Sequence, residues 1–285
     1  MNEGGDKKWG VSGENELVIL PNALRFPLTS HAHSDVYQID IAFPDGEPVK
    51  AGWPAIFLLD ASNCFGTCVE AMRRMSKRPD ATGVEPAIII GISGEKGAYD
   101  VSRRQRDYTT IPVGPIRDER TVGGAPVFLD FLRQEVTSFV SRHVNLDLKR
   151  LTLFGHSLAG YFVLWTMLNH GAFFRNYAAI SPSVWWDKTG IFNAAGSLTS
   201  SDRRLLLTIG EWEDSLPPWQ AAASGSEDVI ARRKRRNMFG NVRDLGETLK
   251  PRLGDNMSCL ILPDEDHVSG ISTAIPRMLR MASQR

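Results

Sequence analysis

Three residues along this chain have the types and order needed to break an acyl bond: a serine in a turn of small residues, a histidine near the C-terminus and a carboxylate between them. The serine is Ser157, in the run Gly155-His156-Ser157-Leu158-Ala159-Gly160. A serine hydroxyl is a weak nucleophile and needs a base to remove its proton. The base in turn needs an acid to orient it and to stabilise its charged form. Leu151–Phe154 (LTLF) before the turn reads as a buried strand, and the apolar run Leu158–Leu168 after it as a buried helix. Strand, tight turn and helix would push the serine out at the apex. Such a turn needs small neighbours, and Gly155 and Ala159 supply them two residues to either side, with Gly160 next. Glycine is the more usual residue at the position of Ala159. The plainer alternative, Ser157 as an ordinary helix N-cap, does not account for the strand and the buried helix together. The helix N-terminus also offers free N–H groups and a favourable dipole, so the Leu158 amide is a candidate oxyanion donor.

With the serine at such a turn, the acid and the base follow it along the chain. Two histidines do so. His170 stands at the exit of the elbow helix, too close to fold back, whereas His267 follows the apolar run Cys259–Leu262 in the turn Pro263-Asp264-Glu265-Asp266-His267. The acid is sought where Leu205–Ile209 (LLLTI) ends in Gly210-Glu211-Trp212-Glu213-Asp214. Any of the three carboxylates could serve. Glu213 is the choice, because three residues past the strand clears the edge and turns back. A second oxyanion donor should come from the loop after Ala55–Leu59, and there the Ala61 amide is the candidate; Asp60 is read as fixing that loop.

These residues need a scaffold, and the sequence describes one. Short continuous apolar runs at Ala55–Leu59, Ala87–Ile92, Leu151–Phe154, Leu205–Ile209 and Cys259–Leu262 suit strands covered on both faces. Phe128, Phe131, Leu132, Val136, Phe139 and Val140 share a helical face, and Ile230–Leu249 and Ile271–Met281 are further helices. Alternating strands and helices predict the α/β class: a mostly parallel sheet with helices on both faces. Asn22–Ser30 and Val36–Phe43 lie close in sequence and predict an antiparallel edge. Ser93–Ala125 and, more briefly, Ile191–Asp202 read as loops. A flexible tail over 1–20 and a single domain over 21–285 complete the expected organisation.

Bulk properties exclude several classes. The chain has 285 residues, 42% hydrophobic and 23% charged, with zero formal net charge, which suits one large α/β domain and gives no electrostatic pull toward nucleic acid or an anionic membrane. No apolar run is long enough for a membrane span, and the polar N-terminus lacks a signal-peptide core. Three cysteines, Cys64, Cys68 and Cys259, do not make a disulfide framework, and Cys64 with Cys68 reads as a pair of packed thiols. The expectation is a cytoplasmic protein.

The chain resembles the esterase D-like branch of the α/β-hydrolases, and within it the bacterial trilactone siderophore esterases. The matching segments are Pro54–Asp60, Arg106–Thr109, Arg150–Gly160, Tyr177–Trp186 and Asp266-His267, in the family's order over about 50–280. The Ser181-Pro182-Ser183-Val184-Trp185-Trp186 segment is more specific than the elbow. The resemblance implies the α/β-hydrolase fold and ester hydrolysis through an acyl-enzyme, with no metal or organic cofactor. It supports Ser157 and His267, and puts Glu213 at the family's acid position. Where such enzymes often carry glycine after the Asp60-like residue, this chain has Ala61. The same branch contains S-formylglutathione hydrolases and mycolyltransferases, so general carboxylester hydrolysis and acyl transfer stay open. A non-catalytic binding protein on this fold is the rival of another class.

Substrate contacts are less defined. Trp185 could wall an acyl pocket. Arg103 and Arg106 could grip a carboxylate or a catecholate, since guanidinium forks suit both. Against this, Ser93–Ala125 holds six basic and five acidic residues, and internal pairing, Arg106 with Asp107 included, is the plainer reading. The run Arg232-Arg233-Lys234-Arg235-Arg236 reads first as a solvated helix face and second as the rim of a site for an anion. The expected partner is a small ester, a ferric siderophore among the candidates.

Overall fold

A computed structural model describes residues 18–48, 50–112, 122–199, 202–220 and 226–284. Residues 1–17 of the expected tail lie outside these.

Eight strands form one sheet in the order β1-β2-β4-β3-β5-β6-β7-β8. They are β1 (Ala23–Thr29), β2 (Val36–Ala42), β3 (Trp53–Leu59), β4 (Ile88–Gly94), β5 (Leu146–His156), β6 (Asn176–Ile180), β7 (Arg204–Gly210) and β8 (Met257–Leu262). β2 runs antiparallel to both β1 and β4, and every pairing from β4 to β8 is parallel. This is the α/β-hydrolase arrangement that the sequence predicts, with the antiparallel edge where the leading strands stand.

The apolar runs are continuous because both faces of the sheet are covered. Ala55, Phe57 and Leu59 of β3 join Leu151 and Leu153 of β5, Tyr177 and Ala179 of β6, and Leu205 and Leu207 of β7 in one core. The alternate residues Ile56, Leu58, Phe154, Ala178, Ile180 and Leu206 face the other. The first core packs against α4 (Ala125–Asp130), α5 (Thr137–Ser141), α6 (Leu158–His170), α7 (Lys188–Ser197) and α9 (Met238–Leu253); the second packs against α1 (Phe65–Met75) and α10 (Gly270–Ser283). α4 and α5 are joined by a wider helical turn, Phe131–Val136. A short α2 (Pro79–Thr82) precedes β4. Cys64 and Cys68 are both buried and free, and burial pushes the Cys64 thiol up to about 12. Among the described residues, no helix is long and apolar enough to cross a membrane.

Three expectations need correction. The segment Ser93–Ala125 is not all loop: α3 (Val101–Tyr108) forms within it, capped by Asp100, whose carboxylate accepts from the Arg103 amide at 3.0 Å. Most of Ile191–Asp202 is also helical, as α7, capped by Asp187 accepting from the Gly190 amide at 3.0 Å. In both, a side-chain cap and burial override weak local propensity. Finally, Ile230–Leu249 is two helices, α8 (Ser226–Arg236) and α9, broken at Asn237, whose φ of 42° turns the chain. Asparagine tolerates that left-handed backbone.

Gly52, just before β3, fixes where β3 meets β5. Its φ is +95°, and a Cβ there would lie 2.7 Å from the Leu146 carbonyl carbon and 2.8 Å from the Asn145 oxygen. Gly52→Ala should therefore cost on the order of 2 kcal/mol. In a thermal melt this is a fall of roughly 4–8 °C. Ester turnover by the folded protein should not change, because Gly52 lies at the opposite end of β3 from Asp60. An unchanged melting temperature would contradict this account.

Candidate active site

Parallel strands deliver their C-terminal ends to one edge of the sheet, where ligands of such sheets bind. β5 ends at His156, β7 at Gly210 and β8 at Leu262, so Ser157, Glu213 and His267 all arise from loops at that edge. Ser157 has φ 57° and ψ −116°, a backbone rarely adopted by residues other than glycine. Its amide donates to the Ile180 carbonyl at 3.0 Å, and its carbonyl accepts from the amides of Tyr161 at 3.0 Å and Ser183 at 2.9 Å. The small neighbours are required sterically. A Cβ on Gly155 would lie 2.5 Å from the Ala159 oxygen, and one on Gly160 3.0 Å from Pro182 Cα. Alanine at 159 fits because its Cβ clears Gly155, which has none.

Ser157 Oγ is 3.0 Å from His267 Nε2, and His267 Nδ1 is 2.7 Å from Glu213 Oε2. An ionised carboxylate can only accept, so it fixes the proton on Nδ1 and leaves Nε2 free to accept from the serine. Glu213 is buried on the short turn Glu211–Glu213. Its other oxygen accepts from the Gly210 amide at 3.0 Å and from the Ser181 hydroxyl. Glu211 and Asp214 are exposed, and Glu211 instead accepts from the Asp264 amide at 2.8 Å. Of the three carboxylates considered, only Glu213 meets the imidazole. His170 ends α6, with its ring centroid 4.7 Å from that of Trp165.

Three residues in these contacts were not singled out by the sequence reading. Ser181 supports Glu213, Ser183 Oγ is 3.3 Å from Ser157 Oγ, and His156 packs against His267. The first two belong to the Ser-Pro-Ser segment, whose specificity was the available signal.

The oxyanion candidates follow the C-terminal ends of two neighbouring strands. β3 and β5 pair Leu58 with Phe154, so Ala61 and Ser157 each stand three residues beyond paired positions. The next amides of the β3 loop are engaged: Ser62 donates to Ser93 Oγ at 2.9 Å, and Asn63 to the Asp60 carbonyl at 3.0 Å. None of these bonds uses the Ala61 amide. Leu158 opens α6, where amides have no intrahelical partner. Asp60, in the left-handed region at φ 52°, takes a forked pair of bonds from Arg104 at 2.8 Å each and a bond from the Tyr108 hydroxyl at 3.1 Å. This pairing neutralises a carboxylate that would otherwise oppose an oxyanion beside Ala61.

The structure does not bring Arg103 or Arg106 to Ser157. Arg103 donates to the Val36 carbonyl at 2.7 Å and faces Asp35. Arg106 pairs with Asp35 at 2.6 Å and Asp107 at 2.8 Å. Their charges are satisfied inside the fold by the internal pairing weighed against substrate contact. The basic run on α8 behaves in the opposite way. Arg232, Arg233 and Arg236 line a pocket of about 110 Å³ with Glu213, Met238 and His267. Arg233 ties α8 to the acid turn through the Trp212 and Ser215 carbonyls. Arg236 lies over the Trp185 ring, 4.5 Å from its centroid. Burial, then the charges of Arg232 and Arg235, lower the Arg236 pKa. Among the described residues, none of Arg232, Arg235 and Arg236 pairs with a carboxylate.

A serine, an imidazole and a buried carboxylate in this order can open an acyl bond, and comparison with known proteins points the same way. The family profile described as "Putative esterase" matches residues 30–241. The chain belongs to that esterase family. The matched span holds Ser157 and Glu213, and full-length relatives extend it past His267. The ferri-bacillibactin esterase BesA of Bacillus subtilis is 32% identical, over 95% of this chain and 92% of its own. The siderophore triacetylfusarinine C esterase of Aspergillus fumigatus is 30% identical, over 93% and 94%. Among solved structures, siderophore hydrolase EstA from Aspergillus nidulans superposes with a TM-score of 0.80 at 27% identity, over 95% of this chain and 99% of the other. The protein is an ester hydrolase.

If the three residues act as a relay, His267→Ala should lower kcat by on the order of 10⁶ and Glu213→Gln by on the order of 10⁴, because the acid only orients and stabilises. Asp214→Asn should be silent. A damaging Asp214→Asn with a silent Glu213→Gln would overturn Glu213 and move the acid to Asp214.

Proposed function

We propose that this esterase hydrolyses the backbone esters of an anionic ferric siderophore, in the cytoplasm, with Ser157 as nucleophile. His267 Nε2 takes the serine proton as Oγ attacks the ester carbonyl. The amides of Ala61 and Leu158 stabilise the oxyanion that forms. The imidazolium, held by Glu213, then gives that proton to the departing alcohol, leaving an acyl-Ser157 ester. A water enters, gives a proton to His267 and its oxygen to the acyl carbon; collapse expels Ser157 Oγ, which takes the proton back.

One observation carries the substrate class: three arginines of α8 line the pocket that holds His267 and Glu213. The relatives are named for siderophores, ferri-bacillibactin and triacetylfusarinine C among them. A ferric triscatecholate carries several negative charges, whereas a ferric trishydroxamate is neutral. Clustered guanidiniums without carboxylate partners favour the anion. Trp185 lies under the guanidinium of Arg236, one of the residues that line that pocket.

Two measurements test this reading. Ser157→Ala should remove p-nitrophenyl butyrate hydrolysis by on the order of 10⁶ while the protein stays folded; a few per cent of residual activity would rule Ser157 out. With the wild type, kcat/KM for a ferric triscatecholate trilactone should exceed that for the butyrate ester by orders of magnitude and fall steeply with salt. The double variant Arg232→Gln/Arg236→Gln should lose that preference and keep butyrate turnover. Salt-independent kinetics favouring small acyl esters or S-formylglutathione would reject the siderophore assignment and leave a general carboxylesterase.

A further inference from the structure

The nucleophile and the base lie 110 residues apart, in loops that follow different strands, and the reaction needs them within a hydrogen bond of each other. Besides His267–Glu213 itself, the base loop is secured to the acid turn by two bonds: the Trp212 amide to the Glu265 carbonyl at 3.0 Å, and the Asp264 amide to Glu211 at 2.8 Å. It is also braced internally, with Asp266 Oδ1 accepting from the amides of Val268 and Ser269 at 2.8 and 2.9 Å. Between the nucleophile turn and the base loop, the described residues offer one bond besides Ser157–His267 itself. It runs from His156 Nε2 to the main-chain carbonyl of His267, at 2.6 Å. The two imidazole rings also lie against each other, tilted by 47°, with centroids 4.5 Å apart.

We infer that His156 is a positioning residue for the base: its Nε2–H holds the His267 carbonyl and its ring backs the His267 imidazole, so that one side chain sets the spacing of Ser157 and His267. This inference rests on Ser157 and His267 being the nucleophile and the base. The chemistry of the contact defines the state of His156. A carbonyl oxygen only accepts, so Nε2 carries the proton. The ring must also be neutral, because His267 becomes cationic in each half-reaction and a second cation 4.5 Å away would oppose it. Burial meets that need, with the positive charges of His267 and Arg104 acting in the same direction, and His156 is pushed down to about 3. Arg104 is itself paired with Asp60. A histidine directly before the serine is the shortest way to join the two loops, because the residue that ends β5 shares its backbone with the nucleophile.

The test separates the donor from the bulk. His156→Leu keeps an apolar body and removes the donor; His156→Gln keeps an N–H at about the same reach. With p-nitrophenyl butyrate, the leucine variant should lose on the order of 10–100-fold in kcat with KM little changed, as expected for misplacement of a catalytic group. Its rate of fluorophosphonate labelling at Ser157 should fall in parallel. The glutamine variant should recover most of both. Wild-type rates in the leucine variant, or equal losses in both variants, would overturn the inference. A wild-type Ser157→Ala activity would instead overturn the triad on which it rests. Should the leucine variant fail to fold, long-range proton–nitrogen NMR of the wild-type histidines decides. A neutral His156 protonated on Nε2 from pH 5 to pH 8 is expected, and a proton on Nδ1 or a cationic ring in that range overturns the inference.

Discussion

The backbone of Ser157, held at φ 57° and ψ −116° between β5 and α6, is the constraint around which the rest of this edge is arranged. Such a conformation costs on the order of 1–3 kcal/mol and persists only where its surroundings over-determine it. Here they do so from three sides. Ile180 of β6 takes the serine amide, Ser183 donates to the serine carbonyl, and Tyr161 begins the helical ladder on the same carbonyl. The missing side chains of Gly155 and Gly160 let β5, α6 and the Ile180–Pro182 segment come within contact of one another. The gain is direction: the hydroxyl leaves the sheet edge, and the first amide of α6 lies beside it.

The Ser-Pro-Ser segment after β6 meets both ends of the polar chain that runs through the site. Ser183 touches Ser157 at one end, and Ser181 donates to Glu213 at the other. Ser181 has φ 44°, so this support also carries backbone strain, in a buried stretch that the helix α6 and the strand β7 hold from both sides. Between them, the two oxygens of Glu213 meet the Gly210 amide, the Ser181 hydroxyl and the His267 imidazole, so its side chain is held from both sides.

Much of this was legible in the sequence because buried parallel strands leave a simple mark. Each of Ala55–Leu59, Leu151–Phe154 and Leu205–Ile209 is apolar without alternation, and each proved to feed both cores. The elbow was legible for a related reason, since Gly155 and Ala159 are sizes that only close approach demands. What escaped was set by contacts distant in sequence. The helix α7 contains Gly190 and Gly196 and forms because Asp187 caps it. The break at Asn237 depends on a turn that helical periodicity does not register. Arg103 and Arg232 are alike in sequence, each within a basic run. They differ because Val36 and Asp35 meet the first, whereas α8 carries the second to the pocket of His267.

His267 depends on an edge strand. β8 closes the sheet on one side, pairing only with β7, and Ile261 and Cys259 on it are exposed. Strands at a sheet edge open by local fluctuation at lower free energy than central ones. Ser157 stands on β5, in the middle of the sheet, and His267 on the loop that β8 holds up. Heating should therefore switch the enzyme off in two stages, with the imidazole leaving the serine while β3, β5 and β6 are still folded. A bound ester spanning Ser157 and His267 would delay that separation, so that substrate would itself brace the edge of the sheet.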